Sequence, residues 1–144
     1  MKVSPQGIAL ICRFEGCKLE AYPDASPQRI LTIGYGHTGA SVMPGQTISL
    51  DRAKELLAGD LVRFEDVVTH AVTVPLTQGQ FDACVSFAYN CGPQNFRSSI
   101  LLCKLNDRDY VGTGQEFGRW VHAGAETLPG LVLRRSAERA MFES

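Results

Sequence analysis

Apolar residues at Leu50, Ala53, Leu56, Leu57, Leu61, Phe64 and Val68 recur with the spacing of one helix face. That stripe predicts a single long helix over about residues 49–71 with one side turned to a core. Glu55, Asp60, Arg63 and Glu65 fall off the stripe and are expected to face solvent. The segment before it has another character. Between about residues 20 and 48, Pro23, Pro27, Pro44 and several glycines interrupt short β-prone runs such as Ile30-Leu31-Thr32-Ile33. We expect a small hairpin sheet over about 20–35, loops to about 48, and hence a small β-rich lobe over about 16–48.

Helical patterns flank this core on both sides. Ser4-Pro5 is a good helix start, with a serine cap and a proline at the first helical position. Ile8, Ile11 and Phe14 follow at helical spacing, and Gly16 ends the pattern, so Glu15 sits at the C-terminal end of a helix over 4–15. Thr77-Gln78-Gly79-Gln80 reads as a capping box, and Gly92-Pro93 stops the helix that it begins. Further helices are expected over about 98–106, 109–120 and 131–142. The fold class is therefore α+β, mostly helical. One domain over 1–144 carries a small β lobe, a long helix and a larger helical lobe over about 72–144 packed with helix 4–15. A groove between two such lobes is a common ligand site.

Composition excludes several function classes. A net charge of −1 gives no field that draws the chain to nucleic acid or to an anionic membrane. The five cysteines, odd in number and widely spaced, do not form a disulfide framework and suit a reducing cytoplasm. No run approaches the ~18 apolar residues of a membrane helix, and Met1-Lys2-Val3-Ser4-Pro5 lacks a signal peptide. We therefore expect a cytoplasmic start and no stable membrane insertion. His37, His70 and His122 are far apart, and Cys12/Cys17 lacks zinc spacing, so neither metal nor cofactor is expected.

The chemistry gathers near the first helix end. Glu15 and Asp24 are separated by eight residues and lie on unlike backbone elements. Partial desolvation and the negative end of the helix dipole favour the protonated form of a carboxyl at Glu15, suiting it to general acid catalysis. Asp24 lies in a polar, turn-rich segment where a carboxylate stays ionised, able to hold a water or stabilise an oxocarbenium-like centre. The Thr32 hydroxyl both donates and accepts, so it can orient that water. Singly, each has a plainer reading: a solvated helix-end Glu, a turn Asp after Pro, a strand Thr.

Phe14-Glu15-Gly16, Ala21-Tyr22-x-Asp24 and Leu31-Thr32-Ile33-Gly34-Tyr35-Gly36-His37-Thr38 resemble the signature of the phage-type lysozymes, glycoside hydrolase family 24, closest to lambdoid-like phage endolysins. Downstream blocks continue the resemblance in order: Leu76-Thr77-x-x-Gln80-Phe81-Asp82-Ala83, Ser86-Phe87-Ala88-Tyr89-Asn90-x-Gly92, Glu116-Phe117-x-Arg119-Trp120 and Leu128-Pro129-Gly130 onward. The resemblance implies a muramidase that cleaves the β-1,4 bond between N-acetylmuramic acid and N-acetylglucosamine in peptidoglycan, with inversion. It places Glu15, Asp24 and Thr32 in the catalytic triad. The run Ala25–Leu31 is about two residues longer than usual in that family, which leaves the hairpin register open, with Ser26 as a weaker alternative hydroxyl.

The same resemblance implies substrate contacts at Gly36, Thr38, Tyr89, Asn90 and Ser99. The alternatives are a plain turn for the first two, a core tyrosine for Tyr89 and a helix cap for Ser99. His37 is better read as a hydrogen-bonded histidine than as a base. One arginine of the Arg134-Arg135 pair is expected to orient Glu15, with a solvated helix face as the alternative. The implied biology is a monomeric endolysin that accumulates in the host cytoplasm and reaches peptidoglycan through a holin. A lytic transglycosylase and a non-catalytic wall-binding module are the competing readings.

Overall fold

The computed structural model describes residues 1–144, and the chain divides into two compact units: Cys12–Val62, and Met1–Ile11 with Arg63–Ser144. The architecture is mostly helical α+β. Helix α1 (Pro5–Glu15) ends where Gly16 takes φ +66° and donates its N–H to the Cys12 carbonyl at 3.3 Å. Glycine adopts this left-handed turn without a Cβ penalty, which is why the helix stops at Glu15.

In the Cys12–Val62 unit, β1 (Lys18–Pro23), β2 (Leu31–Gly34) and β3 (His37–Thr38) form an antiparallel sheet in that order. Tyr22 pairs with Thr32 and Pro23 with Leu31, and a bulge separates these pairs from Lys18 and Gly34. Thr32 also pairs with Thr38. The tight turn between β2 and β3 needs glycine: Gly34 and Gly36 have φ +66° and +87°, and a Cβ on Gly34 would stand 3.3 Å from the Ala53 Cβ. The free edge of β1 is covered by the following loop, through Ala21 N–H to Gln46 O at 2.8 Å and Ile48 N–H to Leu19 O at 2.9 Å. Covering an edge in this way removes a template for aggregation. Ile33, Tyr35, Val42, Ala53, Leu57 and Leu61 form the core here.

The other unit is built around α3 (Gln78–Cys91), buried on every face from Phe81 to Ala88. It packs chiefly on α7 (Pro129–Glu143). Phe87 meets Phe96, Phe117 and Trp120 edge to face at centroid separations of 6.2, 5.7 and 5.3 Å, a geometry the ring quadrupoles favour. The α3 N-terminus carries the expected capping box between Thr77 and Gln80. Asp82 on α3 then anchors the start of α1. Its carboxylate accepts from the Ser4 N–H at 3.0 Å, from the Ser4 hydroxyl and from Gln78 Nε2 at 2.8 Å. Ser4 Oγ in turn caps the Gly7 N–H at 3.1 Å. A Cβ on Gly7 would lie 2.7 Å from the Asp82 carboxyl carbon, so only glycine permits this approach.

Helix α2 runs Leu50–Ala71, close to expectation. Two of its charges depart from the solvent-facing reading. Glu65 is buried and accepts the Val3 N–H at 2.7 Å, and Asp60 is half-buried against His37. The short helix expected over 98–106 is α5 (Ile100–Asn106), and a separate short helix, α4 (Pro93–Ser98), precedes it, the two parted at Ser99, which is extended at ψ 149°. The next is α6 (Tyr110–Glu116) followed by a 3-10 turn, Phe117–Arg119. A small hairpin, β4 (His122–Ala123) with β5 (Glu126–Thr127), was not anticipated.

Asp82→Ala removes the shared acceptor of Ser4 and Gln78 from a site only 1% exposed. We expect a loss of about 2 kcal/mol, read as a fall in melting temperature of about 4–8 °C.

Candidate active site

The sequence-predicted residues fall in both units. Glu15, Asp24, Thr32, Gly36 and Thr38 belong to Cys12–Val62; Tyr89, Asn90, Ser99, Arg134 and Arg135 belong to the other.

Asp24 follows β1 and organises the turn to β2. Its Oδ1 accepts three hydrogen bonds: from the Ser26 hydroxyl at 2.5 Å, the Ser26 N–H at 3.0 Å and the Ile30 N–H at 3.0 Å. The Asp24 N–H donates back to the Ile30 carbonyl at 2.9 Å. That carbonyl also accepts the Thr32 hydroxyl at 3.0 Å. The Ile30 peptide thus ties Asp24 to Thr32. The long run between them is absorbed by a turn in which Arg29 donates its N–H to the Ser26 carbonyl at 3.0 Å and takes φ +48°. A left-handed arginine is uncommon and is held there by the surrounding bonds.

These donors hold the Asp24 carboxyl below the usual carboxylate range. The Ser26 hydroxyl is the main cause, with smaller help from the two N–H groups and Arg29, against a partial opposing effect of desolvation. Such a shift favours the folded chain above the ordinary carboxylate range. The benefit fades as pH falls through the lowered value. All three bonds use Oδ1, which leaves Oδ2 for another partner.

Thr32 is buried, while its sheet partner Thr38 and Gly36 are exposed. Glu15 is half-buried at the end of α1. His37 lies 2.8 Å from Asp60 through Nδ1, so it is the hydrogen-bonded histidine expected.

In the other unit Arg134 and Arg135 converge on a group that the sequence reading does not single out, and Asn90 joins it through Arg135. Glu138 is fully buried on α7. It receives Arg135 Nη1 at 2.8 Å, Arg134 Nε at 3.2 Å and the Ser86 hydroxyl at 2.5 Å. Burial pushes its carboxyl up, outweighing the pull of Arg135 and Arg134. Arg135 also donates to the Asn90 side-chain oxygen and to Cys91 Sγ, and it stacks over Phe87 at 5.2 Å. The two arginines are therefore buried, not on a solvated face. The spacing Arg134-Arg135-x-x-Glu138 was a readable signal, since residues three and four apart share a helix face. Tyr89 stands edge-on to Phe64 at 5.1 Å. Ser99 caps α5, accepting the Leu102 N–H at 3.0 Å and donating to the Phe96 carbonyl at 2.7 Å.

Ser26→Ala removes the strongest donor to Asp24. The Asp24 carboxyl then titrates at higher pH, which a carbon-detected NMR titration of the side chain measures directly.

Residues 12–138 match the Phage lysozyme family. The chain is 46% identical to the Endolysin of Bacillus phage PZA over 144 residues, all of this chain but 56% of that relative; it thus spans about half of that protein's length. Among solved structures, a P22 lysozyme mutant superposes with a TM-score of 0.92 at 40% identity, covering 100% of this chain and 99% of that one. The muramidase domain of SpmX from Asticaccaulis excentricus superposes with a TM-score of 0.91 at 34% identity, covering 99% and 98%. With a lysozyme fold and a family match over most of its length, the chain belongs to the phage lysozyme family.

Proposed function

We propose that this chain is an endolysin domain that hydrolyses the β-1,4 bond between N-acetylmuramic acid and N-acetylglucosamine in peptidoglycan. The observation that carries the reading is the hydrogen-bonded Asp24 carboxylate, held ionised on a rigid turn nine positions after a helix-end glutamate. Glycoside hydrolysis needs two carboxyls in unlike states, and these two lie in unlike surroundings. The printed names of the relatives, an endolysin and a muramidase domain, point the same way.

In the proposed reaction Glu15 donates a proton to the leaving glycosidic oxygen. Asp24 takes a proton from a water through Oδ2 as that water adds to the anomeric carbon from the opposite face. The Thr32 hydroxyl, donating to the Ile30 carbonyl, still has lone pairs to accept from the water and hold its direction. Inversion at the anomeric carbon follows. Thr38, paired with Thr32 on the sheet, and Gly36 in the turn before it are exposed and are the sugar contacts we favour; the Asn90 side-chain oxygen already accepts from Arg135, and the Ser99 hydroxyl donates to the Phe96 carbonyl. No helix is long and apolar enough to cross a membrane. A cytoplasmic start, holin-dependent release and a monomeric state complete the proposal.

Turbidity loss on permeabilised cells tests the roles. Glu15→Gln is expected to lower the rate by about 10²–10⁴-fold, the usual worth of general acid catalysis. Equal lysis by the variant removes Glu15 from its role and favours a wall-binding module. Mass spectrometry of digested peptidoglycan should give reducing ends; a yield of mainly anhydro-sugars would assign the chain to the transglycosylases.

A further inference from the structure

An aspartate on an open turn holds a water poorly, because the last torsion of its side chain is broad and its two oxygens exchange places. Asp24 is restrained by one neighbour above all. Ser26 supplies two of the three donors on Oδ1, through its hydroxyl at 2.5 Å and its N–H at 3.0 Å; the Ile30 N–H, also at 3.0 Å, supplies the third. With Oδ1 pinned by these donors, the carboxyl plane is fixed and Oδ2 keeps one direction. Ser26 also closes the turn. Its carbonyl accepts the Arg29 N–H at 3.0 Å across Pro27, whose ring locks its own φ. That turn delivers the Ile30 carbonyl, which accepts both the Asp24 N–H at 2.9 Å and the Thr32 hydroxyl at 3.0 Å.

We propose that Ser26 is a positioning residue for the cleavage: its hydroxyl sets the direction of Asp24 Oδ2 and, through the Ile30 peptide, the spacing between Asp24 and the Thr32 hydroxyl. This role rests on the functional reading above. In that reaction Ser26 touches neither the water nor the sugar. Its hydroxyl proton is committed to Oδ1, so it acts only through Asp24.

The attacking water must be aimed at the anomeric carbon, and a misplacement of about 1 Å costs on the order of a hundredfold in rate. Two backbone N–H groups stay on Oδ1 when the hydroxyl is lost. The expected cost is therefore smaller, about tenfold in kcat, the lower end of what a hydrogen bond to a charged group supplies. A second signature follows from the charge on Asp24. The Ser26 hydroxyl is the chief cause of its lowered carboxyl, and Arg29 in the same turn is the charged group that acts on it. Strand β1 carries Lys18 and Glu20, and β2 carries no charge. All of these charges remain when only the hydroxyl is removed. Asp24 must be ionised to take a proton, so the acid limb of the kcat profile then moves to higher pH.

Threonine and valine are close in shape and differ by the hydroxyl, so Ser26→Thr against Ser26→Val isolates it. The test measures kcat, KM and their pH profiles on soluble peptidoglycan oligosaccharides for both variants, for Ser26→Ala and for the full parent chain, with each fold checked by circular dichroism. We expect Ser26→Thr to track the parent. Ser26→Val and Ser26→Ala should lose kcat about tenfold at unchanged KM, with acid limbs displaced to higher pH. Equal kcat and equal acid limbs for Ser26→Thr and Ser26→Val overturn the proposal, whatever the melting temperatures do. A rise in KM alone makes Ser26 a substrate contact and also overturns it. If Asp24→Asn cleaves like the parent chain, the functional reading itself fails. If Asp24→Asn is inactive while Ser26→Val matches Ser26→Thr, the positioning role alone fails.

Discussion

A single oxygen, Asp24 Oδ1, holds the hairpin on which the candidate site is built. Three donors converge on it, and the Ile30 peptide then links it to Thr32. The same bonds that close the turn keep the carboxyl ionised, so local structure and chemistry share one cause. The turn also settles a register that the sequence left open. The extra residues loop out between Ser26 and Arg29, and Thr32 faces Tyr22 on one side and Thr38 on the other. The strained Arg29 backbone is the local cost of that arrangement.

The second unit solves a different problem. A buried carboxylate between two buried guanidiniums is costly to desolvate and is tolerated where the carboxylate oxygens find partners. Glu138 finds Arg134, Arg135 and Ser86; Arg135 also finds Asn90, Cys91 and the face of Phe87. The Arg135 Nε is left without a hydrogen-bond partner. The network joins α7 to α3 through Ser86, Asn90 and Cys91. The aromatic cluster around Phe87 supplies the apolar part of the same contact.

What was legible in the sequence had a period or a cap. The α2 stripe, the Gly16 stop after Glu15 and the Thr77–Gln80 capping box are local signals, and the structure has each of them. What escaped depends on partners distant in the chain or on elements too short to show a period. Glu65 and Asp60 looked solvated because Val3 and His37 lie 62 and 23 positions away. Helix α4 is only six residues long and starts at the Gly92-Pro93 that reads as a stop, and the β4–β5 hairpin has strands of two residues each. Of the candidate site, the polar turn around Asp24 was readable, and its donors hold that carboxyl below the usual carboxylate range. The part played by Ser26 was not: in the sequence its hydroxyl reads as a weaker alternative to Thr32, and in the structure it is the chief donor to Asp24.

The configuration of the first-formed sugar tests the central claim most directly. If the ionised Asp24 carboxylate directs a water, proton NMR of a fresh digest of a soluble peptidoglycan oligosaccharide will show the α-anomer at the newly released reducing end, before mutarotation. A β-anomer there would mean retention through a covalent glycosyl intermediate, and it would contradict the role given to the water held by Asp24 and Thr32.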